Sequence, residues 1–171
     1  MLPKEYRIIG SSPAQYALTD AQFREHAEQA CDEFCITKPA DSSWPSFAER
    51  LSFGAADPDN TAALTEAVQR AEKEIAGPVR RLYHLAVPPA AFTSVVGLLG
   101  TTGLARDARV IIEKPFGRDL ESARALNQAV HAVFDESQVF RIADPGSITV
   151  EFLAKVPGPE LTLGNSAMVF S

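Results

Sequence analysis

The sequence predicts an α/β protein built on a doubly wound parallel sheet. Two observations carry this. Short β-rich runs alternate with stretches of helical periodicity from Tyr6 to Ile142. The stretch Val110 to Leu120 then shows what one such unit looks like. Arg109 to Ile112 reads as a short buried strand, because three β-branched residues follow one charged one. Pro115 stops it, since proline has no amide to donate to a ladder and keeps Lys114 out of a helical conformation. Gly117 permits the chain to reverse, and Asp119 caps the helix that follows.

The elements follow in order. Tyr6 to Gly10 is a strand, and Ser11-Ser12-Pro13 turns out of it. Thr19 or Asp20 caps a helix running to about Phe34, with Phe23, Ala27, Ala30, Cys31 and Phe34 at helical spacing. Residues 38–45 form a Pro/Ser/Asp loop holding Trp44, and residues 47–53 give a short helix or turn and a weak strand at Leu51-Ser52-Phe53. A helix from Thr61 to Ala76 stops at Gly77-Pro78. Residues 82–87 form the next strand, and a helix from Ala90 to about Leu99 follows Pro88-Pro89. After the strand near Val110 come a helix over residues 120–134 and a strand over 138–142. At Ala143 the character changes. Pro145-Gly146 and Pro157-Gly158-Pro159 bracket Ile148 to Lys155, which alternates as a half-buried strand does.

Composition excludes several classes. A length of 171 residues suits one core-bearing domain, and a 46% hydrophobic and 22% charged make-up is that of an ordinary globular chain. A formal net charge of −6 argues against a nucleic-acid surface, which needs a clustered basic face. No apolar run has the length of a membrane span, and Met1 to Glu5 carries no apolar signal core, so a cytoplasmic protein is expected. Cys31 and Cys35 lack a second Cys or His pair at metal-binding spacing and read as reduced thiols; no metal is expected.

Glu113 and Lys114 stand at the carboxyl end of a strand, the edge at which open α/β sheets bind ligands. A solvated Glu-Lys pair ahead of a turn fits the same two residues.

The run Glu113-Lys114-Pro115-Phe116-Gly117-Arg118-Asp119-Leu120 resembles the signature of glucose-6-phosphate dehydrogenases. Arg81 to Pro89, Ser122 to Asn127 and Phe134 to Ile142 resemble the same family, in the same order. The resemblance implies a Rossmann-like coenzyme domain, NADP as cofactor, glucose 6-phosphate as substrate and a place in the pentose phosphate pathway. It implies that Lys114 contacts both sugar phosphate and coenzyme, a dual role suited to a mobile ammonium. Pro115 would stand beside the coenzyme, and Ala86, Val87 and Pro88 along its nicotinamide half. Phe92 matches a position that is aromatic in some members, and core packing explains it as well. Ser11 and Ser12 fall where the family selects NADP through its 2′-phosphate. Their hydroxyls could donate to a phosphate, and an ordinary turn explains them equally.

The same resemblance marks what these residues do not contain. The family opens with a strand and a Gly-rich loop whose amides bind the pyrophosphate, and this sequence starts at what would be the second strand. After Ile142 the family's substrate-binding His and Lys are replaced by Ala143-Asp144-Pro145-Gly146, and none of His26, His84 and His131 matches the family's general base. His84 and His131 read as structural, so no catalytic residue is assigned. The expectation is a partial parallel sheet lacking its first strand over residues 1–142, then a β fragment of the family's second domain over 143–171. Coenzyme affinity is expected to be weak or lost, with activity impaired. The alternative is a non-catalytic coenzyme- or partner-binding remnant. Without the first strand, the strands at Arg7 and Leu82 would flank a vacancy whose edges invite self-association.

Overall fold

The structure, a computed structural model, describes residues 5–35, 43–113 and 119–142. Its first strand, β1 (Ile8–Gly10), is three buried residues long and pairs in parallel with β2 (Leu51–Phe53), Ile8 opposite Leu51 and Gly10 opposite Phe53. The helix between them, α1 (Asp20–Phe34), starts at a reciprocal cap: Gln22 N–H donates to the Thr19 hydroxyl, and the Gln22 side chain accepts from the Thr19 amide. Phe23, Ala27 and Cys31 form its buried stripe, four residues apart as a helix face requires. Asp20 accepts the Phe53 amide at 2.8 Å and so ties the start of α1 to the end of β2.

The short α2 (Trp44–Ala48) takes in Trp44, which the sequence reading leaves in a loop. Pro45 sits in its first turn, where a missing amide costs nothing, and the Trp44 and Phe47 rings pack 5.6 Å apart against the α1–β2 cluster. The third helix, α3 (Ala62–Lys73), stops short of the expected Ala76; Gly77, at φ 103°, makes the turn that follows.

A second parallel sheet runs β3-β4-β5, from β3 (Arg81–Leu85), β4 (Ala108–Glu113) and β5 (Val139–Ile142). The crossovers are α4 (Pro89–Thr101) and α5 (Leu120–His131). Asp119 caps α5 through the Ser122 amide at 2.8 Å, as the sequence predicts. In register, Tyr83, Val110 and Val139 stand side by side, as do His84, Ile111 and Phe140. The first row faces the main core with Leu85, Ala108 and Ile112. The second row lies on the opposite face, with Arg109 over the Phe140 ring.

The expected parallel, doubly wound sheet is present, in two pieces. Among the described residues no ladder joins β1 to β3. Side chains span the seam instead: Ile9 of β1, Leu64 and Val68 of α3, and Tyr83 and Leu85 of β3 belong to one buried cluster. At Gly54, directly after β2, an added Cβ would stand 2.8 Å from Ala67 Cβ, so α3 lies close against that end of the first sheet. The fragment assigned to residues 143–171 lies outside the described residues.

Candidate functional site

All strands in each sheet are parallel, and the helical crossover α3 carries the chain from β2 to β3, so the carboxyl ends of both sheets form one edge. Ser11 and Ser12 leave β1 there, Ala86 to Pro88 leave β3, and Glu113 ends β4. Two of the segments picked out from sequence thus emerge on either side of the seam. Lys114 and Pro115 follow Glu113 directly and lie outside the described residues.

The local chemistry of each segment follows from its bonds. Ser11 Oγ donates to the Gly54 carbonyl at 2.7 Å, and Ser12 Oγ to the Tyr16 carbonyl at 3.0 Å, with Pro13 O at 3.3 Å. Both hydroxyl protons are held inside the turn, so a phosphate reaching Ser12 must first draw its hydroxyl away. Ala86 and Val87 are half-buried and Pro88 is exposed, and Val87 also packs on the main core, giving this side an apolar wall. Phe92 is 3% exposed inside the same core, which is the packing reading of that residue.

From sequence alone His84 reads as structural. Its Nε2–H donates to Glu113 Oε1 at 2.8 Å, with side-chain exposures of 16% and 23%. The Glu113 carboxylate is therefore held by the neighbouring strand. His131 makes the other histidine–carboxylate contact, to Glu136 at 3.0 Å, and His26 is exposed. The sequence signal for the His84–Glu113 pair was only that both residues sit in strands. Register was needed to show that His84 stands opposite Ile111, two residues from Glu113 on the same face.

Helix N-termini are where backbone amides bind phosphates; at this edge the starts of α1, α4 and α5 are engaged or depleted, while that of α3, at Ala62, has no side-chain cap. Thr19 and Gln22 occupy the start of α1, and the Asp119 carboxylate that of α5. At α4, Pro88 and Pro89 contribute no amides. Backbone and side-chain hydrogen bonds from Ser122 hold the Asp119 carboxyl below its ordinary range. The edge therefore offers a dinucleotide a wall, a turn and the uncapped start of α3, without a Gly-rich loop among the described residues. A concavity of about 640 Å³ opens at the opposite, amino edge beside Asp107, Arg109, Asp135 and Gln138. Its acidic and basic walls offset one another, and it touches none of the segments above.

Among the described residues no three His, Cys, Asp or Glu side chains are placed to hold a metal, and no helix is long and apolar enough to cross a membrane. Burial, with a smaller contribution from Cys35, pushes the Cys31 thiol up to about 11.

Comparison with known proteins gives a consistent answer. The family described as glucose-6-phosphate dehydrogenase, NAD binding domain, matches residues 1–144. Glucose-6-phosphate 1-dehydrogenase 2 of Mycobacterium bovis is 37% identical over 150 residues, covering 83% of this chain and 29% of the relative. The Mycolicibacterium smegmatis enzyme is 38% identical over 141 residues, 80% of this chain and 28% of its own length. Among solved structures, glucose-6-phosphate 1-dehydrogenase from Mycobacterium avium superposes with a TM-score of 0.67 at 36% identity, over 81% of this chain and 29% of that one. A glucose-6-phosphate dehydrogenase in complex with glucose 6-phosphate gives 0.64 at 30% identity, over 80% and 29%. The chain thus spans less than a third of the length of these relatives. With a matching profile over most of its length and the same α/β arrangement, the chain belongs to the glucose-6-phosphate dehydrogenase family, through the nucleotide-binding domain of that family.

Proposed function

We propose that these residues form the coenzyme half of a glucose-6-phosphate 1-dehydrogenase, holding NADP weakly and not oxidising glucose 6-phosphate unaided. The observation that carries this reading is the shared edge, where Ser11-Ser12 after β1 and Ala86 to Pro88 after β3 emerge on either side of the seam. Residues 1–142 supply the coenzyme domain in this reading, and residues 143–171 a piece of the second.

NADP, when bound, accepts the hydride from the sugar. The chain's own part is to hold it: Ala86, Val87 and Pro88 along the nicotinamide half, Ser12 toward the 2′-phosphate, and Lys114 toward a phosphate and the sugar substrate. A Lys–phosphate contact at an exposed edge contributes on the order of 1 kcal/mol or less and is screened by salt. With the starts of α1, α4 and α5 engaged or depleted, the start of α3 is what the described residues leave for the pyrophosphate. A positioned general base contributes about 10²–10⁴ in rate, and no described histidine stands at this edge except His84, which is bonded to Glu113.

Calorimetric titration with NADP at low and high salt tests the proposal. Expected is a dissociation constant in the millimolar range, near −4 kcal/mol, that weakens with salt and weakens most on Lys114→Ala. Micromolar, salt-insensitive binding would require a phosphate cradle beyond the groups named above and would overturn the weak-binding part. A coupled absorbance assay is expected to show no turnover above background, and turnover that disappears on Lys114→Ala would overturn the non-catalytic part. A partner-binding reading is favoured by one observation only: among the described residues no strand pairs with the seam-facing edges of β1 and β3, where one from a second copy could.

A further inference from the structure

At the carboxyl edge, His84 of β3 and Glu113 of β4 join adjacent strands, with Nε2–H donating to Oε1 at 2.8 Å. Both side chains lie on the sheet face opposite the main core, because His84 alternates with buried Tyr83 and Leu85, and Glu113 follows buried Ile112. An ionised carboxylate can only accept, so the shared proton belongs to the imidazole. In its neutral form the imidazole fixes Glu113 without cancelling the negative charge, which a lysine or arginine in its place would do. The cation of β4 on the same face, Arg109, lies roughly 13 Å back along the strand and over the Phe140 ring.

Register sets what that charge stands beside. Leu85 is opposite Ile112, so one residue further along Ala86 comes beside Glu113, at the roughly 4.8 Å spacing of neighbouring strands. Ala86 begins the half-buried wall that runs through Val87 to Pro88.

We propose that Glu113, held in place by His84, makes this site favour the oxidised coenzyme over the reduced one. The inference rests on the proposed reading in which Ala86 to Pro88 line the nicotinamide half. Oxidised nicotinamide is a cation and reduced nicotinamide is neutral, while the phosphates of the two forms are the same. A fixed carboxylate beside the ring therefore acts on the difference between them. A cation on the phosphates, the part that reading gives to Lys114, acts on both alike. At a half-buried separation of several ångströms the carboxylate should be worth about three- to tenfold in relative affinity. His84 is the positioning residue: without its bond the carboxylate is free to turn into solvent, where its field is screened.

Titration of the full chain with NADP and, separately, with NADPH in mildly alkaline buffer tests this, followed by backbone amide shifts in nuclear magnetic resonance. Wild type should bind the oxidised form about three- to tenfold more tightly, with shifts at Ala86 and Val87. Glu113→Gln, which keeps the shape and removes the charge, should bring the ratio close to one. His84→Ala should lower the ratio, and His84→Gln, whose amide can still donate to Glu113, should restore it. Lys114→Ala should weaken both forms by one factor and leave the ratio alone. An unchanged ratio in Glu113→Gln, with Ala86 and Val87 still shifting, overturns this inference and spares the reading beneath it. Shifts that bypass Ala86 and Val87 overturn that reading as well. Failure of His84→Gln to restore the ratio removes the role given to His84. If the variants do not fold, equal affinities of wild type for the two forms overturn the proposal.

Discussion

Tyr83 is among the largest wholly buried side chains, and its hydroxyl donates to the Leu104 carbonyl at 3.1 Å. Burial, the dominant cause, raises its pKa well above the ordinary 10.0. The unfolded chain therefore loses this proton at a lower pH than the folded one does. Stability associated with Tyr83 is fully present below about pH 10 and is lost as the pH rises above it. Tyr83→Phe should cost about 1 kcal/mol at pH 7, the net worth of one hydrogen bond, and should flatten the decline above pH 10. Urea midpoints from pH 7 to 11 measure both. The Cys31 thiol, ordinarily 9.0 and pushed up to about 11, adds its own decline from about pH 9. The difference between wild type and variant is therefore the quantity to read, and parallel curves above pH 10 would remove the role given to Tyr83.

At the scale of elements, two glycines in α4 separate packing from propensity. A Cβ on Gly100 would stand 2.9 Å from Val133 Cγ2, just beyond the end of α5, whereas a Cβ on Gly97 meets nothing within 4 Å. Gly100→Ala should destabilise by about 1–3 kcal/mol through overpacking. Gly97→Ala should stabilise by about 0.5–1 kcal/mol, because a helix interior favours alanine. Chemical denaturation of both variants checks the pair, and equal shifts of the same sign would show that α4 and α5 do not meet as described. Much of this level was legible in the sequence, for local reasons. The Thr19 and Asp119 caps and the Pro88-Pro89 break are chemistry within a few residues of each boundary. The early end of α3 was not legible, because Ile75 leaves the helix and is buried in the turn, 8% exposed, a tertiary preference that local signals do not carry. The place of Trp44 in α2 and the His84–Glu113 contact were hidden for the same kind of reason, one set by packing on α1 and β2, the other by strand register. The candidate site was half legible: the chain positions of Ser12, Ala86, Val87 and Pro88 put them at one edge, but the bonds holding the serine hydroxyls did not show until the turn was formed.

At the scale of the whole molecule, side chains and no backbone ladder join the two sheets among the described residues. Leu64 of α3 is 3% exposed in the cluster containing both Ile9 and Tyr83. Leu64→Ala should cost about 2–5 kcal/mol and should lower amide protection in β1–β2 and β3–β4 together, as one cooperative unit. Hydrogen exchange resolved by peptide measures this, and loss confined to β1 and β2 would show two independently stable halves. The place of α3 in the chain also sets a clock. Domains assemble from the N-terminus as the ribosome adds about 5–20 residues per second. The β1–α1–β2 portion emerges before α3, with the Ile9 face bare until Ala62–Lys73 follows. Because α3 comes directly after β2 and its short loop, that bare interval lasts on the order of a second or a few. The newborn chain thus covers the Ile9 face almost as soon as it is made, well before the strands on the far side of the seam exist.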